Sequence, residues 1–246
     1  MVSRPLAIAL AAGLSSAFAF AQVAAEAPKR PLSLETRGDI YMARKMYREA
    51  IDVFREDKSK NPAISNKIGI AYHQMQQLDN ARKYYEQAVR LKPDYAEAIN
   101  NLGTVYYARK SFGRATRYYQ RALKYAPKSA SIYSNLGTAY FARKKYKEAM
   151  ETYQIALKLD PNVFETHGNY GVLLEERNVE ERAKFHFHMA KLYAQAGRND
   201  LAFQYLRKAL EEGFKDKKKM VEDPAFQTMR DLPEFKELLA LEPRVL

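Results

Sequence analysis

Cysteine is absent from the 246 residues. That excludes disulfides, thiolate nucleophiles and cysteine-ligated metal sites, and it leaves the redox compartment undetermined. Histidine is scarce: the four are His73, His167, His186 and His188, and no serine stands in a recognisable nucleophile motif around them. His186 and His188 are two apart, so a helix turns them to different sides and they cannot share a metal as residues i and i+4 do. They read as polar positions on a solvated helix. The acidic run Glu175, Glu176, Glu180 and Glu181 flanks Arg177 and Arg182, and reads as a salt-bridged helix boundary rather than a carboxylate metal site. No catalytic residue, metal or cofactor is therefore expected. Glycine is sparse too, with ten in all, and five of them (Gly38, Gly69, Gly103, Gly137, Gly171) recur at a regular place instead of collecting in loops.

That regularity belongs to a longer pattern. In the stretch from Ala96 to Ser129, Leu102, Gly103, Tyr106, Ala115, Tyr119, Ala122 and Pro127 mark seven places. At a shift of 34 residues onward they become Leu136, Gly137, Tyr140, Ala149, Tyr153, Ala156 and Pro161. At the same shift back they become Ile68, Gly69, Tyr72, Ala81, Tyr85, Ala88 and Pro93. One period held over three units predicts a helical repeat array. Apolar residues at i, i+3, i+4 and i+7 in each half predict two short amphipathic helices per unit. Gly103 and Ala115 allow close helix contact, while Tyr119 and Ala122 face the first helix of the next unit. Pro127 lacks an amide hydrogen and disfavours helix at Ala126, which ends the second helix. A single hairpin cannot bury its apolar face, so the units must stack.

Taken in order, residues 1–21 have one positive charge at Arg4, an apolar run, and Ala19-Phe20-Ala21 before Gln22. This is the layout of a cleaved secretory signal peptide, and no cysteine follows it to carry a lipid anchor. Residues 22–30 read as a linker, and no further membrane span is expected after cleavage. Repeat units fall near 31–61, 62–95, 96–129, 130–163 and 164–216. The interval from Gly38 to Gly69 is shorter by three, a loss assigned to Glu56–Asn61 at the end of the second helix. The last unit reads two ways. Gly171 with Ala183, Phe187 and Ala190 gives one register; Met189, Ala190 and Tyr193 followed by Gly197, Ala202, Leu206 and Ala209 gives another. Sharing of the helix near Val179–Ala196 between two hairpins accommodates both. Residues 217–246 supply Phe226, Met229, Phe235, Leu238 and Leu239 to short helices opened by Pro224 and Pro233, and read as a terminal cap.

From Pro31 to Asp216 this pattern resembles the tetratricopeptide repeat proteins, most specifically in the three central units. The customary large aromatic near the start of each unit is replaced by Ser65, Ile99, Tyr133 and His167. The tail from Leu201 is similar to a terminal motif that follows such arrays in bacterial proteins. The resemblance implies an all-α, right-handed superhelical α-solenoid of stacked hairpins with a C-terminal helical cap. It also implies that first helices line a concave groove, with the residue two places before each glycine facing into it.

Those residues are Lys67, Asn101, Asn135 and Asn169. Three asparagines at repeat spacing resemble the ladders with which family members grip peptide backbone, each amide offering a donor and an acceptor. The alternative is that the amides bond their own neighbours. Further groove positions are Asn66, Asn100, Thr104, Tyr107, Ser134, Thr138 and Phe141, with Tyr107 and Phe141 as aromatic plates. Only Lys67 is basic there, so the carboxylate clamp of some relatives is not matched. The implied function is a non-enzymatic, exported scaffold that binds an extended peptide or protein segment and organises an envelope assembly.

Charge supplies a second reading. The 41 basic and 29 acidic residues leave a formal charge of +12, which steers acidic partners at long range. Arg114, Arg117, Arg121 and Lys124 follow helical spacing along one second helix, and Arg143, Lys144, Lys145 and Lys147 fill the next turn. These would bind anionic envelope polymer or lipid by counterion release. Export disfavours nucleic acid. A third possibility is an accessory subunit of an envelope enzyme complex.

Overall fold

The computed structural model describes residues 31–166 and 178–240. The chain divides into two compact units, 1–33 and 34–246, and the helical array belongs to the second. The signal and linker readings lie outside the described residues, apart from the boundary at Pro31.

Every regular element among the described residues is helical. Four antiparallel pairs follow the repeat: α1 (Leu34–Ala43) with α2 (Tyr47–Glu56), α3 (Pro62–Gln74) with α4 (Leu78–Leu91), α5 (Ala96–Ala108) with α6 (Phe112–Tyr125), and α7 (Ala130–Ala142) with α8 (Tyr146–Leu159). A short α9 (Val163–Thr166) follows. Then come α10 (Val179–Gln195) and α11 (Asn199–Glu211), which pair in the same way. The tail forms α12 (Lys217–Glu222), a 3-10 turn at Pro224–Phe226 and α13 (Pro233–Ala240). Helix α2 has 10 residues where α4 has 14, so the first unit loses its residues at the end of its second helix.

Local chemistry accounts for the boundaries. Asn61 caps α3, its side chain accepting from the Ala63 amide at 2.8 Å, and Pro62 occupies the first turn, where a missing N–H is harmless. Helices α4, α6 and α8 each end two residues before a proline, at Pro93, Pro127 and Pro161. Between the helices of a pair the chain reverses through a left-handed residue, at Lys45, Gln76, Lys110 and Lys144 (φ 57 to 60°) and at Gly197 (φ 74°). At Lys110 and Ser111 the amides close the turn onto the Tyr107 and Tyr106 carbonyls, so the last orphan acceptors of α5 are satisfied.

Each of the first four hairpins is keyed by a glycine and a ring. A Cβ on Gly103 would stand 2.5 Å from Tyr119 Cε1, and the same closeness joins Gly69 to Tyr85 and Gly137 to Tyr153. The second-helix aromatic thus lies on the glycine of its own unit as well as facing the next unit. In the last hairpin Ala190 and Leu206 occupy the same two register positions, both buried. The small residue grows by a methyl and its partner shrinks from a ring to a Leu.

The tail packs onto this hairpin. Met220, Phe226, Met229, Phe235 and Leu238 are buried in one cluster with Phe187, Tyr193, Leu206 and Leu210. They cover the apolar side that a following repeat would otherwise bury. Helix α10 is therefore the first helix of a hairpin with α11, and it also touches α8. The other half of the shared-helix reading rests on Gly171, outside the described residues.

Candidate functional site

The first helices α3, α5 and α7 touch one another directly as well as through the second helices between them, which sets their polar residues side by side. Asn101 Nδ2 donates to Asn66 Oδ1 at 3.0 Å, and Asn135 Nδ2 donates to Asn100 Oδ1 at 3.0 Å. Each bond runs from the residue two before a glycine to the residue three before the preceding one. Asn66 in turn donates to Glu97 Oε1 at 2.8 Å, and Asn100 to Asn101 Oδ1 at 3.4 Å. The amides thus staple unit to unit, which was the alternative to a ligand-holding ladder. Burial then separates them. Asn66 is 1% exposed, whereas Asn100, Asn101, Thr104 and Asn135 are only partly buried. An amide has two N–H donors and two lone pairs, so the bonds seen leave capacity on the partly buried ones.

The remaining groove residues behave differently from the expectation. Tyr107 and Phe141, 8% and 3% exposed, are not open plates. They stand at the ends of α5 and α7, where the second helix folds back and its first aromatic covers them: Phe112 lies 5.1 Å from Tyr107, and Tyr146 lies 5.0 Å from Phe141. Ser134 and Thr138 are buried as well, the Thr138 hydroxyl bonded to the Ser134 carbonyl at 2.9 Å and to the Tyr153 hydroxyl at 3.0 Å. Lys67 is held between Glu35 and Asp39 of α1, 2.7 Å from each. Burial disfavours its charge, but the bonds to Asp39 and Glu35 prevail and hold its pKa above the ordinary lysine value. Asn169 lies outside the described residues.

Register extends the face into the last hairpin. With Ala190 in the place of the glycine, Phe187, His188 and Lys191 take the places of Asn100, Asn101 and Thr104. They line an open pocket of about 1040 Å³ together with Tyr146, Phe214 and Lys219. The His188 ring stacks on Tyr146 at 5.2 Å, Phe187 stacks on Phe214 at 4.4 Å, and Lys191 pairs with Asp223 at 2.6 Å. The sequence signal for this pocket was the match of Met189, Ala190 and Tyr193 to a first helix; carrying the groove positions forward along that register locates it.

His186 and His188 are not on a solvated face. His186 is 8% exposed, with Nδ1 2.7 Å from Glu212 Oε2, which shares its carboxylate with Arg182. Burial pushes His188 down to about 4, helped by Lys191 and Lys219 and opposed by Asp223. The unfolded chain takes up this proton near pH 6.5 and the folded protein only near 4, so stability is full above 6.5 and falls as pH drops between the two. The loss at His188 is expected to approach about 3 kcal/mol by pH 4. Melting curves of wild type and His188→Phe across that range check it: the variant should lose less stability on acidification.

Among the described residues no group of three possible ligands is placed to hold a metal, and no helix is long and apolar enough to cross a membrane. The basic residues sit apart from the first-helix face. Arg114, Arg117 and Arg121 line a shallow cleft of about 400 Å³ with Tyr106 and Tyr118, while Lys124 lies in the last turn of the same helix. In the next turn Lys145 pairs with Glu148 at 2.9 Å, Lys144 is the left-handed turn residue, and Arg143 caps α7.

Three tetratricopeptide repeat models match the chain, at residues 62–128, 103–163 and 183–212, together more than half of its 246 residues. The chain is a tetratricopeptide repeat protein. Among solved structures, this repeat protein is similar to MamA 41-end from Desulfovibrio magneticus RS-1, with 19% identity and a TM-score of 0.51 over 73% of this chain and 92% of that one. It is likewise similar to MamA AMB-1, with 21% identity and a TM-score of 0.50 over 74% and 98%. At such identities the likeness concerns the fold alone. No curated protein sequence matches the chain. Family membership carries a role in protein interaction, in a family that is typically non-catalytic.

Proposed function

We propose that this repeat protein is a non-catalytic, exported scaffold that holds an extended segment of a protein partner along its first-helix face. The observation that carries the reading is the row of partly buried amides at Asn100, Asn101 and Asn135, held at repeat spacing by their own bonds. Rigid placement lowers the ordering cost of binding, and the unused donors and acceptors match those of an extended backbone. The pocket at Phe187, His188 and Phe214 offers an apolar recess for a side chain. Tyr107 and Phe141 are set aside as contacts because they are covered. Export rests on residues 1–21, and sequencing of the mature amino terminus tests it: Gln22 supports it, and Met1 on cytoplasmic protein contradicts it.

The binding test uses a peptide selected from a displayed library against the mature protein, titrated calorimetrically at about 0.05 and 0.3 M salt. Backbone hydrogen bonding predicts an affinity nearly independent of salt. A steep loss with salt would mark charge contacts instead and remove the amide row from the mechanism.

A further inference from the structure

The outer cleft on α6 has a feature that the first-helix face lacks: cations without counter-charges. Arg114, Arg117 and Arg121 have no acidic partner among the described residues, although other arginines near them are paired, as in Arg82 with Glu86 and Arg109 with Asp79. The cleft is ordered by other means. The Arg114 guanidinium lies over the Tyr106 ring at 5.6 Å, and Arg121 Nη2 donates to the Pro93 carbonyl at 3.1 Å. Tyr106 and Tyr118 stack at 5.1 Å to form the wall between them. Three like charges on one helix face repel one another, and an oxyanion ligand would relieve that repulsion.

Comparison of the repeats decides what kind of anion fits. At the places of Arg114, Arg117 and Arg121, α8 carries Glu148, Glu151 and Ile155, and α2 carries Glu49, Asp52 and Glu56; α4 carries Asn80, Lys83 and Gln87. The basic patch is one unit wide and is followed by acidic residues in the next. A bilayer, polysaccharide or nucleic acid lying across successive units would meet those carboxylates. Lys124 does not alter this, because Arg90 and Lys158 share its place at the ends of α4 and α8, where cations complement the helix dipole.

The geometry points to a second interaction site, in which Arg114, Arg117 and Arg121 take a short acidic segment of a protein partner. The three positions rise by about 10 Å along the helix axis. Glutamates at alternate positions of an extended segment stand about 7 Å apart, so two fit within that span and each can receive a bidentate fork. Tyr106 and Tyr118 then lie against the segment's intervening side chain. The protein would thus hold one segment on its first-helix face and another on the opposite side of the hairpin.

The experiment is fluorescence anisotropy with a labelled peptide of alternating glutamate and serine, and a glutamine-serine control, on the full mature protein. Wild type is expected to bind the acidic peptide and not the control, and Arg114→Gln/Arg117→Gln/Arg121→Gln to lose affinity by at least about tenfold with unchanged circular dichroism. Asn101→Ala/Asn135→Ala should bind this probe as wild type does, which separates the site from the first-helix face. Should the triple variant fail to fold, Arg117→Glu, at an exposed position, must still weaken binding. No binding by wild type, or equal binding by the arginine variants, overturns the proposal. So does arginine-dependent binding of phosphatidylglycerol vesicles with none of the acidic peptide, which would assign the cleft to a lipid surface.

Discussion

Phe226→Ala is expected to lower stability by about 3 to 5 kcal/mol, the range for deleting a fully buried ring that its surroundings cannot refill. Phe226 has 0% exposure and stands 5.8 Å from Phe187 and 6.1 Å from Phe235, so its loss opens the seam between the last hairpin and the tail. Removal of everything after Gly213 goes further. It strips Met220, Met229, Phe235 and Leu238 from the same cluster and bares the apolar side of α10 and α11. Terminal repeats need a polar outer face, so the truncated protein should aggregate or melt at a lower temperature. Thermal melting and size-exclusion chromatography read both variants. An unchanged melt with monomeric elution would show the tail to be a tethered accessory and not a cap.

Gly103→Ala is expected to destabilise although alanine is the better helix former by about 1 kcal/mol. The new methyl would meet Tyr119 Cε1 at 2.5 Å and Cδ1 at 2.7 Å, and Tyr119 is 2% exposed with no room to retreat. Overpacking of this kind costs about 1 to 3 kcal/mol and outweighs the propensity gain. The native pair Ala190 and Leu206 indicates the repair. Gly103→Ala/Tyr119→Leu should be more stable than the sum of the two single changes predicts, with a coupling of about 1 to 3 kcal/mol in denaturant unfolding. Additive effects would mean that the glycine and the ring do not act as one contact.

What can be read from the sequence depends on the separation of the residues concerned. The hairpin key is half legible: glycine and aromatic recur together, but that Tyr119 lies on Gly103 of its own unit emerges only from the backbone path. The Pro93, Pro127 and Pro161 boundaries are legible because proline acts locally through its missing amide. The bonds from Asn101 to Asn66 and from Asn135 to Asn100 are not, since they join different register places across two units. Burial of Tyr107 and Phe141 is hidden for a related reason: Phe112 and Tyr146, which cover them, belong to the following helix and follow the turn. His186 and His188 mislead because their helix looks charged enough for solvent, while what covers them comes from other helices: Tyr205 and Glu212 against His186, and Phe141 and Tyr146 against His188. At the Arg114 cleft the pattern is visible, but its confinement to one repeat has to be read from the neighbouring helices.

The amide row carries the proposed function, and its two inter-repeat donors differ in what their removal leaves behind. Asn101→Ala strands the Oδ1 of Asn66, 1% exposed, and should cost about 1 to 3 kcal/mol of stability. Asn135→Ala strands that of Asn100, which water reaches, and should cost less. The direct measurement is the dissociation constant of the library-selected peptide for wild type and for Asn101→Ala/Asn135→Ala, at a temperature where circular dichroism shows both folded. Two neutral hydrogen bonds to backbone predict an affinity lower by about tenfold to thirtyfold in the variant. An unchanged dissociation constant in a folded variant would contradict the account and leave those asparagines as staples between repeats.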